Sequence, residues 1–229
     1  VGRLLGLGPV AFYGRAMSLV NLFWQSVLSA VVNVATPSFA YARREGGDLK
    51  RDFLHGVELL TGVAWPFYAL AACMALPLIR LAYGPQWDAA APVARIVCLG
   101  GALNALVILT GPLLVSLGRA RDLLARSLLI QAVIVTLITA GAARSLEYAA
   151  VGFSTGHLLG VVVSQRYLKR ALGIEWKELL RACRSSGLVA AGALPGPLLA
   201  FLLTGWLGLW VSLGLAVISS AGGLWFAAR

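Results

Sequence analysis

The chain has 229 residues, 59% of them hydrophobic and only 12% charged, and its mean hydropathy is +0.84. Soluble domains carry about 45–50% apolar and about 25% charged residues, so too little polar surface remains here to coat a water-soluble globule. The net charge of +10 does not point to nucleic acid, because the basic residues fall in short clusters between apolar runs and read as topology determinants.

In lipid a backbone must satisfy its own hydrogen bonds, which leaves helices or closed barrels. The apolar runs are long and continuous, not alternating, so the expected fold class is all-α integral membrane with about seven transmembrane helices. The opening, VGRLLGLGPVAFYGRA, has no Met and no signal-peptide layout, and the expectation is that further sequence precedes it.

The first span is expected over 16–40. Counted at 100° per residue from Asn21, Gln25, Ser29 and Asn33 fall at about 40°, 80° and 120°, Ser18 and Thr36 at about 60°, and Arg15 at about 120°. One face is thus polar along its length, while Phe23, Trp24, Val27, Val31 and Val34 occupy the other. Polar side chains in hydrocarbon are costly unless they face protein or water. The stripe is therefore either the wall of a hydrated cavity or polar glue between packed helices. Arg15 continues it, as a receiver of an anionic group or as an interfacial snorkelling residue.

The second span is expected over 56–79. His55, Glu58 and Thr61 sit at its start with helical spacing. His55 and Glu58 are placed either to exchange a proton or bind a cation, or to mark the water interface with Glu58 paired to Arg51. Pro66 and Pro77 should bend this span. The third and fourth spans are expected over 90–117 and 124–143. The fifth, 148–165, carries Gly152, Gly156 and Gly160 as a repeated GxxxG surface for close helix packing. Ser154, His157 and Ser164 lie on a neighbouring arc, with His157 either a proton relay or a hydrogen-bonded structural residue.

Residues 166–184 differ in pattern. Leu168, Leu172, Trp176, Leu179, Leu180 and Cys183 recur at helical spacing among basic residues, which predicts an amphipathic helix on the membrane surface, as an anionic-lipid sensor or a plain linker. Two almost purely apolar spans, 187–204 and 206–227, should follow, with GALPGP (192–197) kinking the first.

Connections between the spans alternate in charge. One set holds fourteen basic residues, among them Arg43, Arg44, Lys50, Arg51, Arg119, Arg121 and Arg126; the other holds five, Arg3, Arg15, Arg80, Arg95 and Arg144. The richer set is expected in the cytoplasm, with the N-terminus outside and the C-terminus inside. Cys73, Cys98 and Cys183 show neither metal-ligand nor disulfide-framework spacing. The sequence has no Walker loop, no paired external carboxylates, no HExxH and no nucleophile elbow. No catalytic residue, metal or cofactor is expected, and the chain does not read as an enzyme.

Three local patterns resemble those of polysaccharide flippases. GLGPVAFYGRAMSL (6–19) is similar to their LG…GxYxRAxxL signature, LIRLAYGPQWDAAAPVARIVCLGG (78–101) to their YGxxWxxAxPV turn, and SLGRARDLLAR (116–126) to their xxGRxxxLLxR turn. In order, these look like the lipopolysaccharide exporter branch of the multidrug/oligosaccharidyl-lipid/polysaccharide superfamily.

The resemblance implies a MATE-like fold of two lobes around a central cavity. Residues 1–165 would be most of the C-terminal lobe, without its first helix. Residues 166–186 would be a cytoplasmic amphipathic linker, and 187–229 an additional helix pair. It implies translocation of oligosaccharide on an undecaprenyl-pyrophosphate carrier across the bacterial inner membrane by alternating access. The polar stripe would contact the sugar, with Arg43 or Arg119 receiving the pyrophosphate, since a guanidinium binds phosphate oxygens bidentately. Implied partners are the lipid-linked oligosaccharide, membrane lipids, the chain's own N-terminal lobe and polysaccharide polymerase machinery, with no nucleic acid. Two alternatives stand beside this reading. One is a drug/cation antiporter of the same superfamily, coupled through Glu58 or His157, and the other is a membrane enzyme of envelope polysaccharide synthesis.

Overall fold

A chain this apolar must pair its backbone within helices, and prolines and glycines then decide where those helices break. The computed structural model describes residues 7–193. Most of the expected sixth span and of GALPGP, the whole seventh span, Arg3 and Arg229 lie outside them. The described residues form helices and contain no strand. In chain order these are α1 (Leu7–Phe23), a π-helical turn (Trp24–Leu28), α2 (Ser29–Arg44), α3 (Leu49–Cys73), α4 (Ala75–Tyr83), a 3₁₀ turn (Pro85–Ala90), α5 (Ala91–Ala105), α6 (Thr110–Ser116), α7 (Ala120–Ala142), α8 (Leu146–Leu172) and α9 (Trp176–Ala193).

Five stretches are long and apolar enough to cross a membrane: Gly8–Arg44, Leu49–Cys73, Pro85–Ser116, Ala120–Ala142 and Leu146–Leu172. They coincide with the first five expected spans, and the chain is an all-α membrane protein.

Proline explains two interruptions. A proline ring collides with the carbonyl four residues earlier and supplies no amide hydrogen. For Pro77 that carbonyl belongs to Cys73, where α3 ends, with Met74 at φ −99°, ψ 20° linking it to α4. For Pro112 it belongs to Ile108. There α5 and α6 are separated by tight turns, with the amides of Leu106, Val107, Thr110 and Gly111 each bonding the carbonyl three residues back. The expected span 90–117 is therefore discontinuous.

The segment 166–184 is not one surface helix. α8 continues to Leu172 and stops where Gly173 adopts φ 66°, a left-handed conformation that glycine enters at low cost. α9 then runs through position 187 without interruption and packs on α3. Its Leu179, Cys183 and Ser186 are buried, while Trp176 and Leu180 are exposed. The Thr61 hydroxyl donates to Ser186 Oγ at 2.8 Å across this seam.

α5 is the hub of the bundle, touching α1, α3 and α8. Its span is 56% buried, against 11% for the first span and 6% for α7, so the first span and α7 form the periphery. α7 and α8 meet through the predicted glycine ridge. A Cβ on Gly156 would stand 2.7 Å from Ile134 Cγ1 and one on Gly160 3.3 Å from Ile130 Cγ2, while at Gly152 it would overlap the Leu137 carbonyl.

Candidate functional site

The first span contains a register step that a uniform 100° rotation does not anticipate. Between Trp24 and Leu28 the helix is π-helical, and the Ser29 amide bonds the Trp24 carbonyl. The Gln25 carbonyl, which an α-turn would pair with that amide, instead accepts the Ser29 hydroxyl at 2.9 Å. One extra residue in the turn sets everything downstream back by about 100°.

Burial records the step. Ala16, Val20 and Phe23 face the core before it, and Leu28 and Phe39 after it. Val34, expected on the apolar side, is instead 65% exposed.

The same step straightens the polar stripe. Relative to Asn21, Ser29 moves to about −20°, Asn33 to about 20° and Thr36 to about −40°. Asn21, Gln25 and Asn33 are exposed and Ser29 is half-buried. No hydrogen bond joins the Asn21, Gln25 or Asn33 side chain to another described helix, so within residues 7–193 these three are not glue, whereas Ser18 at the Arg15 end of the stripe is bonded to Tyr83. Pro37 adds to its polarity, because it offers no amide to the Asn33 carbonyl. Beside the stripe an apolar groove of about 570 Å³ runs between α2 and α3, lined by Val31, Val34, Ser38, His55, Leu59 and Leu109 among others.

Arg15 stands at the end of this face and is held by aromatic rings. Its guanidinium lies 4.7 Å from the Tyr83 ring centre and 5.0 Å from that of Trp87, within cation–π range. Phe12 meets Trp87 edge-on at 5.4 Å, and Tyr83 donates to Ser18 Oγ at 2.9 Å. Arg80 pairs with Asp88 through two parallel bonds of 2.8 and 2.6 Å. The GLGPVAFYGRAMSL and YGPQW patterns are thus two halves of one clamp at the Arg15 end of the bundle.

The third pattern builds the opposite end. Gly118, at φ 70°, reverses the chain after α6. Arg43 donates to the Ser116 carbonyl at 2.7 Å, capping α6. Arg119 donates to the Arg170 carbonyl at 3.2 Å near the end of α8 and pairs with Asp122 at 2.6 Å. Both guanidinia proposed for pyrophosphate therefore hold helix ends, with part of their donor set left over.

An open groove of about 810 Å³ lies at the same end, lined by Lys50, Arg51, His55, Glu58 and others. Glu58 is not paired to Arg51. Two turns of helix separate them, and α9 lies closer: Ser185 donates to Glu58 Oε1 at 2.6 Å, and His55 Nδ1 is 4.0 Å from Oε2. Lys50 bonds Glu178 at 2.7 Å. The Lys50 ammonium first, then the Glu175 amide, holds the Glu178 carboxyl below the usual carboxylate range.

His157 bonds the Phe153 carbonyl at 3.0 Å through Nδ1 and borders a small polar cavity between α5, α7 and α8. Arg126, read from sequence as a connection residue, lies inside α7 in that cavity and bonds Ser164 Oγ and the Val107 carbonyl. Its place in a helix was foreshadowed by the unbroken LLARSLLIQAV run. Cys73 is exposed and Cys98 and Cys183 are buried, all three as free thiols. Among the described residues no group of acids, histidines and cysteines could hold a metal.

The described residues thus carry a polar row on α1–α2 with an aromatic-arginine clamp at one end of the bundle and arginines on helix ends at the other. Residues 1–92 match the family of polysaccharide biosynthesis proteins. The match covers the whole of the first clamp pattern and most of the second.

The chain is 27% identical over 120 residues to the teichuronic acid biosynthesis protein TuaB of Bacillus subtilis (strain 168), across 52% of this chain and 25% of that one. It is 24% identical over 216 residues to the amylovoran biosynthesis protein AmsL of Erwinia amylovora, across 92% of this chain and 55% of that one. The chain thus spans between a quarter and about half the length of these relatives. No solved structure matches it. The resemblance drawn from the three sequence patterns is supported, at the level of a membrane protein of polysaccharide biosynthesis.

Proposed function

We propose that this chain forms one side of a flippase that moves lipid-linked oligosaccharide across the bacterial inner membrane during surface polysaccharide synthesis. The observation that carries the reading is the row Asn21, Gln25 and Asn33 on α1–α2, exposed and bonded through no side chain to another described helix, with only Ser18 at the clamp end tied to Tyr83.

A sugar crossing hydrocarbon loses its hydrogen bonds to water unless a hydrated wall replaces them. Asn21, Gln25, Ser29 and Asn33 offer amide and hydroxyl groups that both donate and accept, which suits sugar hydroxyls. The donors left on Arg43 and Arg119 at the basic end suit the pyrophosphate, and the lipid tail stays in the bilayer. The basic end is then cytoplasmic and the Arg15 clamp periplasmic. Rocking of this bundle against a partner lobe provides alternating access. Undecaprenyl-pyrophosphate as the carrier and a second lobe as the partner follow from the family resemblance.

The test replaces Asn21, Gln25 and Asn33 together by Leu in the intact protein and measures surface polysaccharide beside protein level. Export should be lost with the protein still present in the membrane. Unchanged export at unchanged level would contradict the assignment of this face.

A further inference from the structure

Among the described residues, the cation at the seam between α7 and α8 has no ion-pair partner. Arg126 lies six residues into α7, about 9 Å along the axis. Its Nε donates to Ser164 Oγ at 2.9 Å and its Nη2 to the Val107 carbonyl at 3.2 Å. The second bond exists because the helix breaks at 106–109. There the Val107 carbonyl meets the Thr110 amide in a tight turn and keeps a lone pair for the guanidinium.

These bonds occupy two of five N–H donors, and none of the ion pairs among the described residues includes Arg126. A charge sunk between membrane helices is costly until an anion meets it.

The space beside Arg126 suits an anion. A cavity of about 120 Å³ is lined by Asn104, Ser127, Gln131 and His157 as well as Arg126. Asn104, Ser127 and Gln131 supply N–H or O–H donors, while the His157 Nδ1–H is spent on the Phe153 carbonyl, and none of the lining residues is acidic. Gln131 at its rim is exposed. Next to Gln131 the surface of α7 is apolar: at 100° per residue Leu124, Leu128 and Val135 fall within about 60° of it, and all three are exposed, as is Leu158 beside His157 on α8. A polar pocket with a cation at its base, opening beside bare leucines, matches a molecule with a phosphate at one end and acyl chains at the other.

We propose that this pocket binds the phosphate of an anionic membrane lipid, with Arg126, Asn104 and Gln131 as its donors and the exposed leucines along its chains. The site is separate from the polar face of α1–α2 and does not depend on what that face carries.

The test uses the purified full chain in phosphatidylcholine nanodiscs, with binding and melting temperature followed on adding phosphatidylglycerol or inorganic phosphate. Phosphatidylglycerol should bind saturably and raise the melting temperature, and R126Q should weaken that binding at least ~10-fold, as expected when a charged hydrogen-bond donor is lost. Because R126Q also removes contacts between helices, N104L serves as the second variant. It leaves both bonds of Arg126 in place and should weaken phosphatidylglycerol in the same direction. Equal response to phosphatidylcholine and phosphatidylglycerol, or N104L binding like the parent, would overturn the proposal. So would saturable stabilisation by inorganic phosphate with none from phosphatidylglycerol, which would assign the pocket to a free anion.

Discussion

The first span and α7 both lie at the edge of the bundle, yet the first span and the α7–α8 seam use their small and amide side chains differently. In α7–α8 the small residues are consumed by packing. Gly152, Gly156 and Gly160 let the two backbones touch, and Ser154 and Ser164 donate to the carbonyls of Ile96 and Gly160. In α1–α2 the amides of Asn21, Gln25 and Asn33 are spent on nothing within the described residues. A sequence can therefore carry polar groups through a membrane for two reasons, and only the partners distinguish them. The first arrangement holds helices together. The second reserves hydrogen bonds for something that comes from outside.

Breaking the packed side should have the largest effect. Gly152→Val would drive a branched side chain into the Leu137 carbonyl, where the obstacle is backbone and cannot swing aside. A loss of about 1–3 kcal/mol or more is expected, seen as a lower unfolding midpoint of the solubilised protein and less of it in the membrane. Gly160→Ala, facing the side chain of Ile130, should cost less.

The α3–α9 seam is an intermediate case. Thr61→Val removes the buried bond to Ser186 and should cost ~0.5–1 kcal/mol. The paired change with Ser186→Ala should cost less than the sum of the two singles, which a double-mutant cycle would read directly.

On the open side, Asn21→Leu, Gln25→Leu and Asn33→Leu should each shift stability by no more than ~0.5 kcal/mol, since no internal bond is lost. A large loss would turn the open face into a packed one and erase the contrast.

The smallest effect belongs to Lys50–Glu178. Glu178 is held below its ordinary range, so its contribution is fully present above that range and fades as pH falls through the lower folded value. Glu178→Gln should flatten the acid limb of a stability–pH curve by lowering stability slightly at neutral pH and leaving it unchanged below the folded value.

The five described spans were legible because hydrophobic run length alone decides them. The Gly152 ridge was legible too, since GxxxG spacing puts its glycines on one face whatever they meet. The π turn was not, because a helical wheel assumes one rotation per residue. Only the misfit between Phe23 and the later inward positions Leu28 and Phe39 betrays it. The break at 106–109 had a signal in Thr110-Gly111-Pro112 that was overridden by the length of the apolar run. Arg43 and Arg119 illustrate a further limit: sequence places cations at the basic end but cannot say that carbonyls at helix ends already claim them. The recognisable patterns turned out to fix the two ends of the bundle, with Arg15 on Tyr83 and Trp87 at one and Arg43 on Ser116 at the other.

The open polar face is tested most directly by thiol labelling in the native membrane. Cys73, the exposed native thiol, is replaced by Ser, and single cysteines are placed at Asn21, Gln25 and Asn33, with Leu28 as the buried control and Gly47 as the water-exposed one. In inside-out membrane vesicles a membrane-impermeant maleimide should label 21, 25 and 33 along with 47 and spare 28. Labelling of 47 alone, with 21, 25 and 33 as silent as 28, would mean that no water reaches this face and that the account of it is wrong.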